Sequence, residues 1–216
     1  MRENNFNKGR YNAHGLKTEA EHDCLTLKTK LRQYYLDKYH NQQGSLFEAY
    51  YGYGLLYQSV YSKYIFDAYY KCDKVIASPD CYKGSCESYI QQTDLSHVSV
   101  ADFDHHGLPF DAIRLFFKKN VPDSCTVFLT FGVQGFQRKA IIKKSSVVYH
   151  GDDTKIQLSW SLLPVLPSKF LKDMCEDLGY EIIEITKLQY KSLVCYYGLH
   201  IKRRTDRANQ SIRYNP

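Results

Sequence analysis

No two of the seven cysteines in this chain stand at the Cys-x-x-Cys spacing, and their number is odd. Paired-cysteine disulfide and zinc frameworks are therefore set aside, and reduced, mostly buried thiols in an intracellular, cytoplasmic protein are expected. Cys81 and Cys86 with a histidine would make a metal site only at a spacing that is not diagnostic, so no metal is assigned. Long apolar runs are missing too. A stretch such as Val121 to Phe131 is well short of the roughly 20 residues a membrane span requires, and Met1 to Lys17 is polar, so neither a span nor a signal peptide is expected. There is no P-loop, no three-glycine dinucleotide fingerprint, no internal repeat and no low-complexity block.

What is present suits one domain with a full core: 216 residues, 44% hydrophobic and 24% charged. Tyrosine is abundant, at 20 residues, which serves half-buried packing and base stacking alike. The formal net charge of +6 favours a polyanionic partner. The expected division is a flexible arm over 1–21, a single domain over 22–202 and a basic tail over 203–216.

Along the chain, Leu25, Leu27, Leu31, Tyr34, Tyr35 and Tyr39 recur at near-helical intervals, predicting an amphipathic helix from Asp23 to Tyr39. An apolar strand follows and runs into Glu48-Ala49-Tyr50-Tyr51-Gly52-Tyr53-Gly54. Two glycines at a strand-to-helix turn supply positive φ and a close backbone approach, and the helix behind them offers unpaired N–H groups. Further on we expect a helix over 55–70, a second strand over 73–77 closed by Ser78-Pro79-Asp80, and a short helix over 82–92. A strand over 98–104 then ends in two aspartates, followed by a helix over 110–119 and a strand over 125–130. The glycine-started basic excursion of 132–146 comes next, and a helix beginning near Ser168 is closed by Gly179. Two paired strands over 181–187 and 192–202 complete the domain. The fold class is α/β: a mostly parallel twisted sheet with helices on both faces and a terminal antiparallel strand pair. In such sheets ligands lie beyond the carboxyl ends of the strands, so the loops after Phe47, Ala77, Asp102 and Thr130 should converge.

This order of parts resembles the class I S-adenosylmethionine-dependent methyltransferases over about 23–202. The segment Asp102-Phe103-Asp104-His105-His106-Gly107-Leu108-Pro109-Phe110 is similar to the Asp-x-Asp-Pro-x-Gly-x-Pro segment of tRNA guanine-N2 methyltransferases. The resemblance implies a Rossmann-like fold and S-adenosylmethionine as cofactor, held by Glu48, Tyr50, Gly52, Gly54, Asp80 and Asp102. Tyr50 stands where the family has the first glycine of its motif, the acid at the end of the second strand is absent from Ser78 and replaced by Asp80, and His105 stands where the family has proline.

The implied activity is methyl transfer to an exocyclic amine of a nucleic-acid base. Transfer needs in-line alignment and an acceptor for the attacking amine's hydrogens. Asp104 is the residue for that contact, and Asp102 holds the loop or touches the cofactor. A splayed base would stack on Phe110, Phe131 or Tyr50, with Arg138 and Lys139 on phosphates, as Arg203 and Arg204 of the tail would be. DNA or RNA is the expected partner, and a protein partner would supply specificity. The alternatives are a non-catalytic nucleic-acid-binding module on the same fold, and a methyltransferase of proteins or small molecules.

Overall fold

The computed structural model describes residues 19–75, 80–104, 109–119, 122–132, 141–143, 146–151, 154–158, 166–190 and 194–205. Their elements, in chain order, are α1 (Glu19–Tyr39), β1 (Ser45–Ala49), α2 (Leu55–Ser59), a 3-10 turn (Tyr61–Lys63), β2 (Tyr69–Asp73), β3 (Tyr82–Lys83), α3 (Cys86–Gln92), β4 (Val98–Phe103) and α4 (Phe110–Lys119). These are followed by β5 (Ser124–Gly132), β6 (Ile141–Lys143), β7 (Ser146–Gly151), β8 (Thr154–Leu158), α5 (Leu166–Asp177), β9 (Tyr180–Tyr190) and β10 (Val194–Arg203).

One seven-stranded sheet runs in the order β3-β2-β1-β4-β5-β10-β9. The first five strands of that order are parallel, and β10 is antiparallel to both β5 and β9. This is the mixed sheet expected from the sequence. β1 is buried along its whole length, as a central strand in a doubly covered sheet must be. A second, three-stranded sheet, β6-β7-β8, was not expected: β6 falls in the stretch read as a basic excursion, and no strand was expected at β7 or β8.

The alternation of side chains across the strands builds two apolar layers. Phe47, Ala49, Ala101, Phe103, Val127, Leu129, Phe131, Tyr197 and Leu199 face α3, α4 and α5. The helix α4 answers with Phe110, Ile113, Phe116 and Phe117, all buried. Each such fully buried Phe is worth roughly 1.5–3 kcal/mol by area. On the other face, Leu46, Val100, Phe128 and Tyr196 meet Leu31, Tyr35 and Leu36 of α1, together with Leu56, Val60 and Tyr61. Gly198 of β10 lets α1 come this close: a Cβ there would lie 2.6 Å from the ring of Tyr35.

Local chemistry sets the boundaries. Ser85 caps α3 by accepting from the Ser88 N–H at 3.0 Å. Gly179, at φ 79°, closes α5. The second strand is β2 at Tyr69–Asp73, not the expected 73–77; consecutive tyrosines carry strand preference, and only Leu55–Ser59 of the expected 55–70 helix is α-helical. The expected helix over 82–92 divides into β3 and α3. No described helix is long and apolar enough to cross a membrane. All seven cysteines are free thiols, six of them buried. Among the described residues no three His, Cys, Asp or Glu side chains are grouped to hold a metal ion.

Candidate functional site

At the carboxyl end of β1 the chain turns through positive φ at every second residue: Tyr50 at 63°, Gly52 at 60° and Gly54 at 68°. Tyr50 thus takes the left-handed backbone that a glycine at its position would take. The turn is tied to β2 by Tyr51 N–H donating to the Cys72 carbonyl at 3.0 Å and Gly52 N–H donating to Asp73 Oδ2 at 2.9 Å. Gly54 is the N-cap of α2, and a Cβ on it would fall 2.3 Å from the Tyr51 hydroxyl oxygen. A Cβ on Gly52 would meet only the Tyr50 carbonyl, at 3.8 Å. The loop is therefore a narrow cradle with open space at its middle glycine.

Three carboxyls gather beside it on the α1 face of the sheet. Glu48 of β1 and Asp102 of β4 are register partners, and Asp104 follows at the end of β4. Each carboxyl is held differently. Asp102 is fully buried and receives a two-pronged ion pair from buried Arg32, Nε to Oδ2 at 2.7 Å and Nη2 to Oδ1 at 2.8 Å, with the Tyr61 hydroxyl donating to Oδ2 at 2.5 Å. Asp104 receives Lys28 Nζ at 2.6 Å on both oxygens and the Thr130 hydroxyl on Oδ1. Glu48 is buried and accepts from the Tyr69 hydroxyl.

The electrostatics follow from these partners. Burial works against the charge of Asp104, but Lys28 and Arg32 outweigh it and hold its carboxyl well below the usual carboxylate range. Burial works against Arg32 too, and Asp102 beside it keeps its guanidinium above its ordinary value. Glu48 goes the other way: burial, then the charge of Asp102, push its carboxyl up to about 8, against the lowering effects of the Tyr69 hydrogen bond and Arg32.

The structure thus brings together Glu48, Asp102, Asp104 and the turn carrying Tyr50, Gly52 and Gly54. It separates others from them. Asp80 is exposed, and its neighbour is Lys71 at 3.9 Å. The acid that does end β2 is Asp73, which sequence reading missed because it set that strand four residues late. Phe110 and Phe131 are corrected from stacking platform to core: both are buried, with ring centroids 5.0 Å apart, on the sheet face opposite the carboxyls. Tyr50 also packs against that core, half-buried. Arg138, Lys139, His105 and His106 lie outside the described residues. Lys28 and Arg32 were not singled out in the sequence. Their spacing with Tyr35, Leu36 and Tyr39, at i, i+3 and i+4, was the available signal that they share its buried stripe.

The sequence matches no family model and no curated protein. Solved structures do match. M. jannaschii TYW2 in complex with AdoMet superposes with a TM-score of 0.54 at 9% identity, over 87% of this chain and 78% of that one. The chain has the fold of an S-adenosylmethionine-dependent methyltransferase. A SAM-dependent methyltransferase from Leishmania major gives a TM-score of 0.51 at 11% identity, covering 83% of this chain and 73% of its own. A candidate hemolysin from Lactococcus lactis gives 0.54 at 10% identity, covering 90% and 89%. The cradle at 50–54 lies at the carboxyl end of β1, and a fold shared with a candidate hemolysin leaves activity to be argued from the site.

Proposed function

We propose that this protein is an S-adenosylmethionine-dependent methyltransferase acting on an exocyclic amine of a nucleic-acid base. The observation that carries the reading is the turn at 50, 52 and 54: three alternate left-handed residues directly after an acidic strand end, beside Asp104, whose carboxyl is held well below the usual carboxylate range. The donor fits the residues present. The backbone at Gly52 is open to a close approach, Glu48 lies behind the turn, and Asp73 at the end of β2 is a carboxylate within reach of it through Gly52. When bound, S-adenosylmethionine supplies an activated methyl group with its own leaving group.

The chain's own part is alignment and charge. Asp104 is fixed by Lys28 and Thr130 at the end of β4, and its low proton affinity keeps it an acceptor at neutral pH. An attacking amine donates an N–H to such a carboxylate and so shares the positive charge that develops on nitrogen. Asp102 does not compete, because it is fully buried under Arg32 and Tyr61, whereas the Asp104 side chain is 18% exposed. The net charge of +6 supports a polyanionic substrate.

The test is transfer of labelled methyl from S-adenosylmethionine to RNA and to DNA, beside calorimetric donor binding. Asp104→Asn should retain donor binding and lose about 100-fold or more of the transfer rate. Absence of donor heat with folded protein would defeat the reading. A second reading rests on the Lys28–Asp104 ion pair, which occupies both carboxylate oxygens: the fold would then serve nucleic-acid binding without transfer. Salt-dependent binding with no methylation by the unaltered protein would favour it. Methylation without any salt-dependent nucleic-acid binding would move the substrate to a protein or small molecule.

A further inference from the structure

The buried charges beside the cradle balance in pairs, with one carboxyl left over. Lys28 is committed to Asp104 and Arg32 to Asp102. Glu48 is the third carboxyl, 1% exposed, lying across the ladder from Asp102. β4, α1, the 3-10 turn, the glycine turn and β2 surround it. From β4 it meets Asp102 and, farther out, Asp104, both acidic. From α1 it meets Arg32, already paired. The 3-10 turn presents Tyr61, the glycine turn Tyr51, and β2 presents Tyr69, whose hydroxyl donates to it. Its register partner on the other side, Lys71, sits over the rings of Tyr51 and Tyr69 at 5.0 and 5.3 Å and leans toward Asp80. Among the described residues no cation lies within ion-pair distance of Glu48, and an uncompensated buried carboxylate is far less stable than its neutral acid.

On the methyl-donor reading, we infer that Glu48 is the ionisable counter-charge for the donor: neutral in the free protein, it releases its proton to solvent when a ligand of net positive charge enters the turn two residues away. No bond other than the Glu48 O–H is broken, and the proton goes to buffer. The same cluster then holds equal numbers of positive and negative charges before and after binding. The shift of its carboxyl to about 8 in the free protein agrees with this. A consequence is discrimination by charge. The sulfonium donor brings a positive charge that its demethylated thioether product lacks, so donor binding drives ionisation and product binding does not. Donor affinity should tighten with rising pH by about tenfold per unit below the Glu48 midpoint, the slope of one linked proton. Product affinity should be nearly flat over the same range.

The experiment is calorimetry of the full chain with S-adenosylmethionine and with S-adenosylhomocysteine at pH 7, in phosphate and in Tris, whose ionisation enthalpies differ. The expected result is a donor heat that differs between buffers by about one proton's worth, and a product heat that does not. Glu48→Gln mimics the neutral acid without a proton to lose and should bind donor with equal heats in both buffers. Infrared difference spectra supply a ligand-independent readout: the free protein at pH 7 should show a protonated-carboxyl band that is missing in Glu48→Gln and disappears on donor binding. Donor heat that is the same in both buffers, or no such band in the free protein, overturns the role of Glu48 and leaves the methyl-donor reading standing. A band without any donor heat overturns that reading, and the ligand assigned to Glu48 with it.

Discussion

Tyr50 holds a left-handed backbone that costs an L-residue about 1–2 kcal/mol, and it persists because neighbours on both sides fix the turn. The two glycines that follow share the conformation for different reasons. Gly52→Ala adds a Cβ into open space, so only backbone strain is at stake and a loss of about 1 kcal/mol is expected. Gly54→Ala adds the same strain and drives a methyl into the Tyr51 ring, so a loss of about 2–4 kcal/mol is expected from strain and overpacking together. Urea unfolding of the two variants checks the order, and equal losses would mean that Tyr51 swings aside without cost. At this scale the sequence displayed Glu48, Gly52, Gly54, Asp102 and Asp104, because acids and glycines at a strand end have few packing uses. It did not display Asp73, whose role depends on where β2 stops, nor the burial of Phe131, because an aromatic residue at a strand end carries no mark of which sheet face it serves.

The helix α1 joins the candidate site to the scaffold through two cations. Removing one partner of a buried ion pair leaves an uncompensated charge, so Arg32→Ala should cost about 3–5 kcal/mol, while the double variant Arg32→Met with Asp102→Leu should recover most of it. Chemical denaturation of the single and double variants decides this; a double variant as weak as the single would show that Tyr61 and the neighbouring carboxyls depend on the pair. The helix itself was legible from its leucines and tyrosines. Its function as a clamp was not, because counting apolar periodicity assigns Lys28 and Arg32 to water. A buried arginine is betrayed only by its acid, which lies 70 residues away in the chain.

For the molecule as a whole, pH acts on stability from two sides. Glu48 binds its proton more tightly when folded than its ordinary value of 4.5 allows, so its contribution is complete below that value and is lost as pH rises toward about 8. Asp104 and Glu184 are the reverse: partners hold their carboxyls low, so their contributions are present above the ordinary carboxylate range and vanish as pH falls through their folded values. Thermal midpoints should therefore be highest in mildly acidic solution, just above the ordinary carboxylate range, and Glu48→Gln should flatten the decline between pH 4.5 and about 8. A decline of unchanged slope in that variant would assign it to other groups. The main sheet was readable at this scale from strand-helix alternation and the terminal strand pair. The small sheet β6-β7-β8 was not, since lysines and arginines along 132–146 mask the alternation that continues beyond them.

The placement of β10 has a consequence for how the chain can be made. β10 is the last of the described strands in sequence but an interior one in the sheet, wedged between β5 and β9. Until residues 194–203 have left the ribosome, β5 presents a raw, apolar ladder edge and β9 has no neighbour, so the nascent domain is an open template for foreign strands. A chain stopped at residue 193 should sediment as aggregate, and adding back a peptide of residues 194–205 during refolding should rescue it. Maturation of this fold is thus a single late insertion, and the ten residues that perform it are as necessary to assembly as the cradle is to chemistry.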